Sequence, residues 1–168
     1  MPQTVAIALG SNIGDRESHL SYAMRAIGEL PGTQTIAQSP YCRTEAVGLP
    51  GQNAGGEYLN ACVLVRTRLS PRELLEHLHR IEHERGRDRS RETRWGPRTL
   101  DLDVLVYGDV TMNEPGLTLP HPRLHERSFV LEPLAMVAPD LVVPGRGRVD
   151  ELLRRLGGKA RKEGEACA

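Results

Sequence analysis

Apolar and polar positions alternate from Thr99 to Tyr107. Leu100, Leu102, Val104 and Val106 fall on one side, and Asp101, Asp103, Leu105 and Tyr107 on the other, the period of two expected of a strand. Tyr58 to Thr67 alternates in the same way, with Tyr58, Asn60, Cys62 and Leu64 opposite Leu59, Ala61, Val63 and Val65. Thr4 to Leu9 is a short apolar run that ends in Gly10-Ser11-Asn12, which predicts a buried strand followed by a turn. Thr33 to Arg43 reads as a further strand, weakened by Pro40. Leu20, Ala23, Met24, Ile27 and Leu30 recur instead at helical spacing, closed by Pro31-Gly32. A second helix opens at Ser70-Pro71-Arg72-Glu73, with Ser70 as cap, Pro71 in the first turn and Glu73 completing a capping box. Its apolar stripe is Leu74, Leu75, Leu78 and Ile81, and Gly86 ends it. Leu117 to Leu119 predicts a short return strand. Ser128 is placed to cap a helix running to about Val137, and Asp150 one ending at Gly157. The segments from Thr44 to Glu57 and from Arg87 to Pro97 read as loops. The order β-α-β-β-α-β predicts an α+β fold: a ferredoxin-like antiparallel sheet with helices packed over one face, plus C-terminal helical additions. The length suits one domain over residues 1–168, with a tail after about residue 158 that could be disordered.

Composition narrows the function. Lysine plus arginine and aspartate plus glutamate number 22 each, so the net charge is zero, which argues against a protein whose main task is to coat nucleic acid or an anionic membrane. The charge is unevenly spread. Seven arginines lie between Arg80 and Arg98, and the only lysines are Lys159 and Lys162. Guanidinium groups match phosphate oxygens in a planar fork, so this local cluster matters more than the sum. Cys42, Cys62 and Cys167 have no CxxC spacing, and the simplest expectation is a reduced, cytoplasmic setting. The first residues lack the basic start and apolar run of a secretory leader. No stretch approaches the roughly 20 apolar residues of a membrane span.

Three segments carry candidate chemistry. Asp101 and Asp103, two apart on one strand face, place two carboxylates roughly 6–7 Å apart. That suits magnesium, which takes one or two carboxylates together with waters and substrate phosphates. An ordinary exposed strand face is the bland alternative, although aspartate is a poor strand former. Arg87, Arg89, Arg91, Arg94 and Arg98 precede that strand and surround Trp95. Alone they are a solvated charge run; beside a dicarboxylate they suit a metal–polyphosphate complex. Pro120-His121-Pro122-Arg123, with Arg127 and Phe129, adds a histidine, two cations and an aromatic. Other chemistries fare worse. His79 and His83 have metal-ligand spacing on a helix but no acidic third ligand or HExxH context. No GxxxxGK[ST] loop occurs, so ATP would be held by arginines and metal rather than by a phosphate-cradling loop.

The run Arg94-Trp95-Gly96-Pro97-Arg98-Thr99-Leu100-Asp101-Leu102-Asp103 resembles the signature of the 6-hydroxymethyl-7,8-dihydropterin pyrophosphokinases. Leu9-Gly10-Ser11-Asn12, Tyr58-Leu59-Asn60, Glu82 with Gly86-Arg87-Asp88-Arg89, and Pro120-His121-Pro122-Arg123 through Phe129 to Leu134 resemble other motifs of that family, in family order. The resemblance implies transfer of pyrophosphate from ATP to the hydroxymethyl group of 6-hydroxymethyl-7,8-dihydropterin, with release of AMP, in folate biosynthesis. It implies two magnesium ions on Asp101 and Asp103, and a catalytic set of Arg87, Arg98, Asp101 and Asp103. ATP would meet Glu82, Arg89, Arg94, Val104, Thr118, His121 and Arg127. The pterin would meet Thr44, Ala46, Val47, Tyr58, Asn60, Trp95 and Phe129. Partners would be these two small molecules, with no nucleic acid or membrane, and the protein would be a monomer. The pocket loop departs from the family, reading Thr44-Glu45-Ala46-Val47-Gly48 without the proline that often follows the threonine. The competing reading is an RNA-binding ferredoxin-like module that uses the arginine loop.

Overall fold

The computed structural model describes residues 1–12, 14–44, 58–86 and 99–157. In chain order the elements are β1 (Gln3–Ser11), α1 (Arg16–Gly28), β2 (Thr33–Gln38), β3 (Cys42–Thr44), β4 (Tyr58–Thr67), α2 (Pro71–Glu84), β5 (Asp101–Tyr107), β6 (Met112–Glu114), β7 (Leu117–Leu119), α3 (Ser128–Val137), β8 (Val142–Val143), β9 (Gly147–Arg148) and α4 (Val149–Arg155). The main sheet runs β2-β4-β1-β5, with β3 also on β4, and every pairing is antiparallel. Two split β-α-β units, β1-α1-β2 and β4-α2-β5, therefore interleave as the element order predicts. Hairpins β6-β7 and β8-β9 lie outside this sheet.

Both faces of the sheet are buried. Val5, Ile7 and Leu9 of β1 join Leu59, Ala61, Val63 and Val65 of β4, and Leu100, Leu102 and Val104, in a core covered by α1 and α2. Ala6, Cys62, Leu64, Leu105 and Val106 face the other way, into a second core with α3 and α4. The C-terminal additions thus roof the face that a bare ferredoxin-like layer leaves open. Truncating a filled position such as Ile7 or Leu78, both fully buried, would cost about 2–5 kcal/mol.

Local chemistry explains most boundaries. Ser70 Oγ accepts the Glu73 N–H at 3.2 Å, and the Glu73 carboxylate accepts the Ser70 N–H at 2.9 Å, so the predicted capping box opens α2. Pro40 divides the expected strand in two. At the break, Ser39 donates its N–H to Cys62 O, and Ser39 Oγ accepts the Cys62 N–H, both at 2.9 Å. The ladder on β4 then resumes with Cys42 opposite Asn60. Two caps fall elsewhere than expected. Ser128 is the first helical residue of α3, after Arg127. Asp150 lies inside α4 and pairs with the capping residue Arg148 at 2.9 Å.

β5 departs from its predicted alternation at one point. Ala6 pairs with Val106 but Ile7 pairs with Val104, so Leu105 is an inserted residue, a β-bulge. Leu105 and Val106 both enter the second core. Tyr107 turns to the first core and donates its hydroxyl to Leu69 O. Asp101 and Asp103, before the bulge, keep the facing that the alternation assigns them.

Candidate active site

Strand register sets out the site in rows. Across β4, β1 and β5 one row reads Asn60, Gly10, Asp101, and the next reads Cys62, Ala8, Asp103. With strands about 4.8 Å apart, Asn60 and Asp101 stand roughly 10 Å from each other, separated only by a glycine. The alternation that sends Leu9, Leu59 and Leu102 into the first core turns these residues to the second face. A Cβ built on Gly10 would lie 3.4 Å from both Asn60 Oδ1 and Tyr58 Cδ1. The amide and the phenol ring therefore border a floor that has no side chain of its own. Thr44, at the end of β3, pairs with Tyr58.

α3 closes one side of this floor. The Cys62 thiol donates to Val130 O at 3.8 Å, so the first turn of α3 lies over the Cys62 row. The half-buried Phe129 in that turn leans on the second core. The Arg127 guanidinium carbon stands 5.7 Å from the centre of the Phe129 ring, within cation–π range.

His121 enters from the outer edge of β5. Its N–H donates to Leu105 O at 2.8 Å, and its Nδ1 accepts the Arg123 N–H at 3.2 Å. That bond leaves Nε2 as the nitrogen that carries the proton of the neutral ring. Burial first, then the Arg127 charge, pushes the His121 pKa down to about 4, against the pull of Asp101. At neutral pH it is an uncharged donor set between a cation and a carboxylate.

The other expected contacts are placed differently. The Val104 side chain is packed in the first core, 5% exposed, so any nucleotide contact there would come from its backbone. Glu82 is buried at the end of α2, and its carboxylate accepts the Leu102 N–H at 2.8 Å. Thr118 sits on the β6-β7 hairpin, where its hydroxyl donates to Asn113 Oδ1 at 3.3 Å. Ala46, Val47, Arg87, Arg89, Arg91, Arg94, Trp95 and Arg98 lie outside the described residues. Sequence reasoning missed Gly10 as part of the floor, reading it only as a strand end. The signal was a glycine in an otherwise apolar strand, which marks close approach of another group.

Asp101 and Asp103 offer oxygen ligands only, a set that fits a hard cation completing its shell with water and phosphate. Among the described residues no group of three or more His, Cys, Asp or Glu could hold a metal. Such a pair fits an ion shared with a substrate, and among the described residues no metal-binding group includes His79 and His83.

Comparison with known proteins decides the family. The model of the 7,8-dihydro-6-hydroxymethylpterin-pyrophosphokinase family (HPPK) matches residues 6–139. The chain belongs to this family. The 2-amino-4-hydroxy-6-hydroxymethyldihydropteridine pyrophosphokinase of Haemophilus influenzae is 41% identical over 152 residues, covering 90% of this chain and 92% of the relative. The Bacillus subtilis protein of the same name is 44% identical over 131 residues, covering 78% of this chain and 75% of the relative. The fold also matches a crystal structure of Plasmodium falciparum HPPK-DHPS, with a TM-score of 0.70 at 13% identity. That match covers 92% of this chain and 45% of the longer Plasmodium protein. The fold class is the one the HPPK domains share, and among the described residues no helix is long and apolar enough to cross a membrane.

Proposed function

We propose that the chain performs the HPPK reaction on the second face of its sheet. It transfers pyrophosphate from ATP to the hydroxymethyl group of 6-hydroxymethyl-7,8-dihydropterin and releases AMP, a step in folate biosynthesis. The observation that carries the division of labour is the row Asn60–Gly10–Asp101. It sets an amide able to read a heterocycle edge across a bare floor from the first of two paired carboxylates.

The pterin ring lies against Tyr58 and Phe129, with Asn60 giving and accepting hydrogen bonds at its edge. Asp101 and Asp103 would hold magnesium, and the ion would supply charge neutralisation where negative charge gathers. His121 Nε2–H and the Arg127 guanidinium add donors at the ATP phosphates without bringing a second carboxylate-like charge near them. The family motif implies phosphate contacts for Arg87, Arg89, Arg94 and Arg98 as well. The hydroxymethyl oxygen attacks the β-phosphorus, the bond to the AMP oxygen breaks, and the hydroxyl proton leaves the attacking oxygen. No covalent enzyme intermediate is required, so catalysis rests on positioning and electrostatics.

The test is AMP release measured with each component omitted in turn. Release must depend on magnesium and on the reduced pterin together. Asp101→Ala must abolish the rate while leaving pterin binding measurable, and Asn60→Ala must weaken pterin binding while sparing ATP. AMP release unchanged by removal of the pterin would overturn the reading.

A further inference from the structure

β5 is an edge strand, paired in the main sheet with β1. An antiparallel edge strand turns alternate amides to its partner and the others outward. The Leu102 N–H donates to Glu82 Oε2 at 2.8 Å, so Leu102 is an outward residue. Its neighbours Asp101 and Asp103 are then the ones laddered to β1, opposite Gly10 and Ala8. Glu82 reaches this amide from the last full turn of α2 and is only 1% exposed. Burial of a carboxylate is costly unless its lone pairs are taken up, and a leucine would fill the same volume without that cost. A buried glutamate at this point calls for a role that an apolar side chain lacks.

We propose that Glu82 is a positioning residue for the two aspartates. It holds the one outward amide that lies between them, from the face opposite to theirs. The peptide planes on either side of Leu102 set the separation and direction of the Asp101 and Asp103 side chains. Fixing that amide fixes both carboxylates through the backbone, and it ties them to the rigid end of α2. This role differs from the nucleotide contact that the family resemblance implies for Glu82, and it rests on Asp101 and Asp103 being the magnesium ligands.

Two substitutions in the full chain test it, with native-state amide exchange at Leu102 read beside kinetics. Glu82→Gln keeps an acceptor oxygen, and Glu82→Leu removes it. Glu82→Leu should speed Leu102 exchange by about tenfold or more, as expected when a protecting bond is lost. It should also raise the magnesium concentration for half-maximal rate by roughly 10–100-fold, the usual effect of losing a partner behind a metal ligand. The pterin KM should stay nearly constant. Glu82→Gln should restore both properties to within a few-fold of the parent. A parent Leu102 amide that exchanges like an unprotected one would overturn the proposal. So would a raised ATP KM in both variants with Leu102 protection and magnesium dependence intact, which would place Glu82 on the nucleotide. If Glu82→Leu does not fold, the parent amide and Glu82→Gln decide, and a folded Glu82→Gln without Leu102 protection refutes the anchor. If Asp101→Ala leaves the magnesium requirement unchanged while Leu102 exchange still answers to Glu82, the anchor stands and the metal assignment falls.

Discussion

Replacing Gly10 separates the fold from the site. The virtual Cβ at Gly10 lies 3.4 Å from Asn60 Oδ1 and from Tyr58 Cδ1, and 3.5 Å from Tyr58 Cε1, ordinary contact distances, so Gly10→Ala is sterically admissible. Gly10 does not have a positive φ, and alanine removes unfolded-chain freedom worth about 0.4–1 kcal/mol. For a chain of this size that is a Tm rise of roughly 1–4 °C. Valine is different. Its two methyl groups extend about 1.5 Å beyond a Cβ already in contact, so the Asn60 amide and the Tyr58 ring must move. Overpacking of this kind costs about 1–3 kcal/mol. If the displaced groups hold the pterin, the same free energy appears as a rise of roughly 5–150-fold in pterin KM. The assay is AMP release at saturating ATP with varied pterin, beside thermal unfolding of each variant. We expect Gly10→Ala to be stable with a modest KM change, and Gly10→Val to bind ATP normally and pterin poorly. A Gly10→Val protein with unchanged pterin KM would refute the floor, and an ATP KM raised as much as the pterin KM would place it under the nucleotide.

Asp101→Ala and Asp103→Ala should each lower the rate by at least ~10²-fold, read from AMP release at saturating magnesium. Asn60→Ala should raise the pterin dissociation constant by the roughly 1–3 kcal/mol of an unpaired polar edge, measured by titration calorimetry. His121 has a folded pKa of about 4, below its ordinary value near 6.5, so the unfolded chain binds the proton more readily. Its contribution to stability is complete above about pH 6.5 and is lost as pH falls toward 4. Tm measured from pH 7.5 to 5 should therefore fall less steeply in His121→Gln than in the parent, and an NMR midpoint for His121 near 6.5 would contradict this. Ser70→Ala should cost about 1 kcal/mol through loss of the α2 cap, read from urea unfolding.

The sequence was informative where one chemical choice had one structural meaning. β4 has its predicted bounds, and its alternation directly gave Tyr58 and Asn60 a common face. The Ser70-Pro71-Glu73 box admits little besides a helix start. The facing of Asp101 and Asp103 was equally plain, because polar residues alternate there with leucines. Past Val104 the pattern went silent. Leu105, Val106 and Tyr107 are all apolar in character and both faces of the sheet are buried, so an inserted residue left no trace in the periodicity. Which face α3 would cover was also unmarked, since its apolar run fits either core. Glu82 illustrates the opposite failure. The spacing of α2 gives no sign that this glutamate is buried, and the resemblance implied a nucleotide contact for it; only the packed structure shows it bound to a strand amide. Ser128 and Asp150 look like caps by residue type, but tertiary packing starts their helices at Ser128 and Val149.

The bulge at Leu105 makes β5 a strand in two phases. Its second half is locked by Val106 opposite Ala6 and by the Tyr107 hydroxyl on Leu69, while its first half carries Asp101 and Asp103, the carboxylates proposed to hold magnesium. The inserted residue is the phase shifter between them. If Leu105 were drawn into a regular alternation with the anchored end kept in place, Asp101 and Asp103 would rotate into a leucine-lined interior and Leu102 would come out to the substrate side. Deleting Leu105 would instead join Val104, opposite Ile7, directly to Val106, opposite Ala6, and leave both halves facing as they do. The same logic gives lineages and protein engineers a useful freedom. Compensating changes at the anchored end, such as a resized residue at 106 or 107, can alter how the strand is gripped without changing the direction in which Asp101 and Asp103 point. The strand is thus divided into a part gripped by packing and a part that presents the two carboxylates, with a single residue as the boundary.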